Sequence, residues 1–157
     1  MLLGGSGNDQ LYGGHGGDNL YGGTGTDRLE GDQGDDVYHW GRGDGNDTIY
    51  DFDSSDRNAS AHQDKLLFGA GIELSDISWI RTGNDLRLTI AGEGGGRVTI
   101  DNHFVGSDYR VEVIELADGT VLDQAQIAID VHTQTGTDSS ETLSGFETDD
   151  TLIGEGG

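Results

Sequence analysis

A nine-residue repeat near the amino terminus constrains the fold of this chain more than any other feature. Four copies follow one another without gaps over residues 4–39, as GGSGNDQLY, GGHGGDNLY, GGTGTDRLE and GDQGDDVYH. The sixth position of each copy is an aspartate: Asp9, Asp18, Asp27 and Asp36. A fixed period of this kind is typical of a solenoid, in which each repeat adds one unit to a continuous stack.

The eighth position of the repeat is apolar. It is occupied by Leu11, Leu20, Leu29 and Tyr38. Leu2 holds the same position in a copy whose start is missing. We therefore expect the chain to be an excised fragment that begins within a repeat, with an added Met1.

The spacing predicts a coil of alternating turns and strands. Glycine tolerates positive φ and so permits tight turns, and the three residues after each aspartate suit a short strand with one inward side chain. Two repeats would form one coil of a parallel β-roll. On one sheet we expect a stack of Leu2, Leu20 and Tyr38, and on the other a stack of Leu11, Leu29 and Ile49.

Apolar burial alone would not hold such a coil together. One buried leucine contributes about 2–3 kcal/mol, whereas ordering nine residues costs on the order of 10 kcal/mol in backbone entropy. Stacked coils also bring carboxylates together, and two that lie about 4 Å apart repel by about 4 kcal/mol at an effective dielectric of about 20. A divalent cation reverses that sign. Calcium suits the site because it prefers oxygen ligands in flexible coordination, whereas magnesium demands octahedral geometry.

The composition limits the partners of the chain. With 30 acidic and 8 basic side chains, its formal charge is -22. Such a chain is not expected to bind nucleic acid and would be repelled by an anionic membrane surface. No apolar stretch reaches transmembrane length, so no direct membrane insertion is expected. The acidic excess has two interpretations, a halophile-like solvated surface or a store of cation ligands. The fixed positions of the aspartates favour the second.

The pattern G-G-x-G-x-D-x-U-x resembles the repeats-in-toxin (RTX) family of haemolysin-type calcium-binding proteins. The residues after the repeats are similar to the segment that flanks an RTX block in adenylate cyclase toxins. This similarity is carried by residues 34–38, 45–49, 83–86, 109–112 and 117–120. The resemblance implies an all-β chain, with a parallel β-roll followed by a small antiparallel β cap domain.

The resemblance also implies a set of calcium ligands. In the family, each ion lies between turns one coil apart and is bound by backbone carbonyls and aspartates. The first implied site consists of Gly5, Gly7 and Asp9 with Gly22, Thr24 and Asp27. The second consists of Gly14, Gly16 and Asp18 with Gly31, Gln33 and Asp36. The third consists of Gly23, Gly25 and Asp27 with Gly41, Gly43 and Asp47, where Asp44 is the alternative to Asp47. Asp32 replaces the second glycine of its repeat, and no calcium ligand is assigned to its carbonyl.

Three regions follow from these patterns: the roll over 1–52, a β-rich flanking domain over 53–135, and the start of a second, degenerate repeat block over 136–157. In the middle region, alternating apolar residues predict strands around Lys65–Phe68, at Ile77–Ile80, through Leu86–Ile90 and Val98–Ile100, and over residues 111–116. Asp123 is expected to cap a short helix through Ile129. The predicted core consists of Phe68, Trp79, Leu88, Ile100, Val113 and Leu116. The tail repeats lack the fourth-position glycine, and no calcium ligands are assigned to them.

Other motifs have weaker functional interpretations. Residues 42–44 spell the integrin-binding tripeptide but lie within a glycine-rich turn. Asp51, Asp53 and Asp56 either close the roll with a last ion or form a solvated loop. An aromatic sugar-binding platform would consist of Trp79, Phe104 and Tyr109, although core packing is the favoured interpretation. No common hydrolase or nucleotide-binding motif is present, so no enzymatic activity is predicted.

The sequence thus predicts a non-enzymatic module that folds on binding several Ca²⁺ ions outside the cell. The resemblance implies a secreted bacterial protein exported by a type I system, with neighbouring RTX blocks of the parent protein as further partners. Two alternatives stay open, a glycan- or ligand-binding adhesin module and a carboxyl-terminal fragment of a secreted hydrolase.

Overall fold

A computed structural model describes residues 1–53 and 63–122, residues 125 and 127, and the backbone of residues 133–135 and 151–153. The described strands are β1 (Leu2–Ser6), β2 (Gln10–His15), β3 (Asn19–Thr24), β4 (Arg28–Gln33), β5 (Val37–Trp40), β6 (Asn46–Tyr50), β7 (Lys65–Phe68), β8 (Ile77–Thr82), β9 (Asp85–Ile90), β10 (Gly96–Ile100), β11 (Val113–Glu115), β12 (Val121–Leu122), β13 (Thr133–Thr135) and β14 (Thr151–Ile153). Short 3-10 helices span Leu74–Asp76 and Ser107–Tyr109. The chain is therefore all-β, as predicted.

Successive strands of the repeat region alternate between two sheets. One sheet has the order β1-β3-β5-β7-β11-β12, and the other has the order β2-β4-β6-β10-β9-β8. Paired strands are parallel and, within the repeats, offset by one coil, so that Leu2 pairs with Leu20 and Leu11 with Leu29. This arrangement is the predicted β-roll, in which two repeats make one turn.

The two predicted apolar stacks are confirmed. Leu20 pairs with Tyr38 on one sheet and Leu29 with Ile49 on the other. The side chains of Leu20 and Tyr38 are fully buried. Leu2, at the end of its stack, is only partly buried and packs against the core. The eighth repeat position thus supplies the core of the roll because strand alternation turns this one side chain inward.

The segment that follows the roll, residues 63–122 (the flanking segment), extends both sheets. β7 pairs in parallel with β5, and β10 pairs in parallel with β6. The antiparallel pairing expected beyond the roll occurs farther out, between β8 and β9, β9 and β10, and β11 and β12. Both sheets cross the expected boundary near residue 52, and the division into three regions stays a prediction.

The core of the flanking segment is largely the predicted one. Phe68, Leu88 and Ile100 are fully buried, and Leu116 is 1% exposed. Trp79 is partly buried against this core. The prediction for Val113 was wrong, because Val113 is half-buried and its neighbour Ile114 points inward instead. The reason is that β11 begins only at Val113, so the alternation does not run unbroken from residue 111.

The carboxyl-terminal residues are described only in part. β13 pairs in parallel with β14, and Thr133 lies opposite Thr151. The two residues are eighteen positions apart, which is the length of one coil of the roll. Ala125 and Ile127 are helical, whereas the predicted cap Asp123 lies outside the described residues. Within the part of the chain that the structure describes, no helix is long and apolar enough to span a bilayer.

Candidate metal centre

A ladder of hydrogen bonds joins aspartates of successive coils along one edge of the roll. The Asp27 carboxylate accepts the Asp9 backbone N–H at 2.8 Å, and the Asp47 carboxylate accepts the Asp27 backbone N–H at 2.8 Å. The structure thus places Asp47, the favoured residue of the third turn, in the ladder. Asp44 instead accepts the Gly41 backbone N–H at 2.7 Å.

A second ladder runs along the opposite edge and continues beyond the repeats. The Asp36 carboxylate accepts the Asp18 N–H at 2.7 Å, and the Asp64 carboxylate accepts the Asp36 N–H at 2.8 Å. The Glu112 carboxylate then accepts the Asp64 N–H at 3.0 Å. Each ladder therefore lines up carboxylates at the spacing between neighbouring coils.

Asp64 and Glu112 are ladder residues that the sequence analysis missed. The sequence does carry a signal for both. Each stands directly before the first residue of a strand, Lys65 or Val113, just as Asp9 stands directly before β2. An acidic residue at the start of a strand can accept the N–H of the neighbouring coil even where the nonapeptide pattern has ended.

On several ladder carboxylates, one oxygen is buried and has no hydrogen-bond partner among the described residues. These oxygens are Oδ2 of Asp9, Asp27 and Asp36. The Asp27 and Asp36 side chains are buried. A buried acceptor left in this state costs about 1–3 kcal/mol, and more when it is charged. A hard cation is the partner that satisfies such oxygens, so the residues present fit calcium.

The glycines of the turns make room for these oxygens. A Cβ on Gly22 would overlap Asp27 Oδ2, and a Cβ on Gly31 would overlap Asp36 Oδ2. The unpartnered oxygens therefore point into the turn of their own repeat. The first glycine of each repeat thus leaves space for the carboxylate of the aspartate in the same repeat.

The carbonyl oxygens of Gly5 and Gly7 lie against the next coil, where a Cβ on Gly23 or on Gly25 would overlap them. Gly23 has φ 89° and Gly25 has φ 146°, so both positions favour glycine for conformation as well as for space. The two turns that carry the first predicted site are thus in close contact.

The second predicted turn pair has the same arrangement. Gly14 and Gly16 adopt positive φ, and Gly14 lies opposite Asp32, which reaches φ 63° without being glycine. The carbonyl of Gln33 accepts the Gly16 N–H at 2.6 Å, as the carbonyl of Thr24 accepts the Gly7 N–H at 2.8 Å. A carbonyl oxygen has two lone pairs. The Gln33 and Thr24 carbonyls, both predicted calcium ligands, therefore each keep one lone pair for an ion.

The third predicted site has a longer turn. Gly25 forms a bridge with Gly45 and donates its N–H to the Asp44 carbonyl at 2.7 Å. Gly43 donates its N–H to the Gly94 carbonyl in the flanking segment at 2.7 Å. Gly41 accepts the Asp44 N–H through its carbonyl at 3.2 Å. The turn thus packs against both neighbours, although it departs from the nonapeptide pattern.

The protein environment resists ionisation of the ladder carboxylates. Burial, together with the repulsion of neighbouring carboxylates, raises the pKa of Asp36 and of Asp47 to about 7 each, although backbone N–H donors oppose the shift. A cation bound there would need the ionised form, so it would compete with protons at these two groups near neutral pH.

Two weaker motifs are engaged within the chain. The Arg42 guanidinium donates to the Gly71 and Ala91 carbonyls and to the Asp76 carboxylate, each at 2.8 Å. The tripeptide at residues 42–44 therefore joins the roll to the flanking segment. The three aromatic residues of the suggested sugar platform are separated as well: Tyr109 stacks on Phe52 at 4.8 Å, whereas Phe104 and Trp79 pack against the core.

These sheets and acidic turns define a calcium-binding β-roll repeat protein. The family described as the RTX calcium-binding nonapeptide repeat matches residues 3–38 and 135–157. The haemolysin-type calcium binding protein related domain matches residues 85–126. The chain therefore carries RTX calcium-binding nonapeptide repeats, and the second match confirms that the resemblance extends into the flanking segment.

A curated relative has a much longer chain. The iron-regulated protein FrpA of Neisseria meningitidis serogroup C is 37% identical over 121 residues, an alignment that covers 75% of this chain and 10% of the relative. The chain thus spans about a tenth of the length of this relative.

Proposed function

We propose that this chain is a non-enzymatic folding module of a larger secreted protein, and that it acquires its fold when Ca²⁺ binds between its turns. The observation that carries the proposal is the pair of carboxylate ladders, in which buried Oδ2 atoms have no hydrogen-bond partner among the described residues. Calcium supplies the positive charge that makes the stacked carboxylates compatible with a compact fold.

The proposed ligands follow the family arrangement. The first ion would be held by Gly5, Gly7, Asp9, Gly22, Thr24 and Asp27, and the second by Gly14, Gly16, Asp18, Gly31, Gln33 and Asp36. The third would be held by Gly23, Gly25, Asp27, Gly41, Gly43 and Asp47. Asp27 is central because it belongs to two of these sets, and its hydrogen bonds to Asp9 and Asp47 support this position.

Calcium would control folding by mass action. An ion that binds the folded state and not the unfolded state stabilises the fold by about 2.7 kcal/mol when its concentration is about 100 times the dissociation constant. Several ions would add several such contributions. The roll would therefore be unfolded at low calcium and folded at high calcium.

This switch suits a protein that leaves the cell before it folds. Proteins with these repeats are typically secreted, and the charge of -22 keeps an ion-free chain expanded. In the proposed role, low cytosolic calcium leaves the chain ready for type I export. The higher calcium outside then folds the chain beside neighbouring repeat blocks of its parent protein.

Far-UV circular dichroism of the purified chain tests the proposal. We expect a largely coil-like spectrum in chelator, with a residual β signal from β8–β10, and a β-rich spectrum after calcium is restored. Magnesium at the same concentration is the matched control and should produce a much smaller change, because it keeps its water and demands octahedral geometry. An identical β-rich spectrum in chelator and in calcium would refute the proposal.

A further inference from the structure

A cavity of about 580 Å³ opens on the outer face of the sheet that contains β3, β5, β7 and β11. Each of these strands contributes one residue to the wall, and the four residues are register partners: Tyr21, His39, Leu67 and Glu115. The residue before each of them in the chain is fully buried, so these four side chains face outward. The volume lies in the range of about 300–1,000 Å³ that is typical of small-molecule sites. No ladder carboxylate is among the described residues that line the cavity.

Small residues and buried apolar side chains form the rest of the lining. Gly41 follows β5 and Gly69 follows β7, and both line the cavity. A Cβ on Gly69 would meet the Gly41 Cα at 3.4 Å, so the two strands lie close together here and leave the space above them open. Phe68 and Leu116, which are buried in the core, also line the cavity. The cavity is therefore mainly apolar.

A fixed pair of aromatic rings forms one wall. The rings of Tyr21 and His39 stack with centroids 3.9 Å apart and an angle of 6° between their planes. His39 Nε2 donates to the Asn19 side-chain oxygen at 3.0 Å, which holds the imidazole in place. Burial lowers the pKa of His39, so the ring is neutral at pH 7 and does not repel a cation. Aromatic rings attract cations through the negative charge of their faces.

The charged groups of the lining favour a positively charged ligand. Asp44 Oδ2 accepts the Gly41 N–H at 2.7 Å, and in the described part of the chain Oδ1 accepts no hydrogen bond. Glu115 is already paired with Lys65 at 2.6 Å. Asp44 therefore brings a negative charge that no basic side chain among the described lining residues compensates. The formal charge of -22 adds to the attraction, because a cleft with apolar walls concentrates the field of the surrounding charges.

We propose that this cavity binds an organic cation, a molecule with an apolar body and a protonated amine. The body would pack against Leu67 and Phe68, and the amine would lie between Asp44 and the aromatic pair. A metal ion fits poorly, because calcium requires six to eight oxygen ligands and most of this wall is apolar. A neutral apolar molecule would exclude water from Asp44 without replacing its hydrogen bonds. The site is separate from the carboxylate ladders and requires only that the roll is folded.

Four small probes test the proposal on the full chain in saturating calcium, with binding followed by NMR. Benzylamine has both the apolar body and the charge, benzyl alcohol has only the body, methylamine has only the charge, and benzoate has the opposite charge. We expect benzylamine to shift the backbone amides of Tyr21, His39 and Leu67, and to bind at least tenfold more tightly than each of the other three. Equal affinity for methylamine would overturn the proposal, because it would indicate general attraction to an acidic surface. Shifts only at residues away from the cavity would overturn it as well.

Two variants separate the charge from the space. Asp44→Asn keeps the size of the side chain and an acceptor oxygen for Gly41, so it should weaken benzylamine at least tenfold and leave benzyl alcohol unchanged. Gly69→Leu should fill the cavity and abolish binding of both probes. The control Asp118→Asn removes an exposed charge from a hairpin turn and should bind benzylamine like the wild type. Circular dichroism in calcium checks the fold of each variant.

The wild-type chain gives the outcome that separates this inference from the proposed function. A chain that becomes β-rich in calcium but does not bind benzylamine would overturn the inference and leave the calcium-dependent folding standing. A chain that binds benzylamine at the cavity, with the same β-rich spectrum in chelator and in calcium, would support the inference and refute the proposed function. Unchanged benzylamine affinity in both folded variants would show that the cavity is not the site.

Discussion

The roll and the flanking segment share two sheets but obtain their stability differently. In the roll, each short strand turns few apolar side chains inward, and acidic turns stack beside one another. In the flanking segment, β9 and β10 bury Leu86, Leu88, Val98 and Ile100 completely. These strands are joined by hairpins and form an alternating apolar face. One sheet can thus continue from a region of stacked carboxylates, for which we propose bound cations, into a region with a denser apolar core.

Removing calcium should produce the largest difference between the two regions. In chelator, we expect the amides of β1–β4 to exchange at nearly unprotected rates, whereas β8–β10 retain measurable protection because their core is denser. Hydrogen exchange measured by mass spectrometry, with and without calcium, checks this prediction. Equal loss of protection in both regions would show that the flanking segment depends on the ions as fully as the roll does.

Asp27→Ala should have the largest effect of any single ladder substitution. It removes the acceptor of the Asp9 N–H and one ligand from each of two proposed ions. Loss of both ions would remove about 5 kcal/mol of stabilisation at calcium about 100 times above the dissociation constant. A calcium titration followed by circular dichroism measures the shift in midpoint. Asp118→Ala, at an exposed turn, is the control, and matching midpoints for the two variants would show that the ligand assignment is wrong.

Leu88→Ala tests whether the flanking segment is stabilised mainly by its apolar core. Truncating this fully buried side chain should lower the free energy of unfolding by about 3 kcal/mol, through lost burial and the cavity left behind. The number of bound calcium ions should not change. Denaturant unfolding in saturating calcium and ion counting give the two measurements. Val121→Ala, whose side chain is 54% exposed, should cause little loss.

Gly25→Ala should have a smaller effect, confined to the roll. Its φ of 146° disfavours a side chain, and a Cβ would overlap the Gly7 carbonyl oxygen. We expect a loss of about 2 kcal/mol in the free energy of unfolding, since unusual backbone conformations cost about 1–3 kcal/mol each. Gly106→Ala is the matched control, because that glycine has φ 176° and an added Cβ would meet no other atom within 4 Å. Similar unfolding midpoints for both variants in calcium would contradict this account of the turn.

Much of the roll could be predicted because its interactions are local and periodic. The period of nine places Leu11 over Leu29 and Leu20 over Tyr38, and the structure has those pairs. Ile49 could be predicted although the turn before it is longer, because it follows Asp47 by two residues, just as Leu29 follows Asp27. The flanking segment was harder, as Val113 shows. A strand of three residues leaves too little alternation to determine which side chain faces inward.

The residues of the candidate site likewise fall into those that the repeat predicts and those that only the structure reveals. Asp9, Asp18, Asp27 and Asp36 are evident from their spacing, but Asp64 and Glu112 lie at irregular intervals along the chain. Only the pairing of β7 with β5 brings Asp64 beside Asp36. These two residues are 28 positions apart, and 28 is not a multiple of the nine-residue period.

The sequence by itself determined the kind of fold, the register of the coils and the preference for calcium. Those properties follow from a short period that repeats glycine, aspartate and one apolar side chain, and each requires only contacts between equivalent positions. The tertiary structure alone decided how the roll ends. It placed Tyr38 against Asp51 and brought Asp64 into the ladder, because both contacts depend on where the non-repeating chain returns to the sheets.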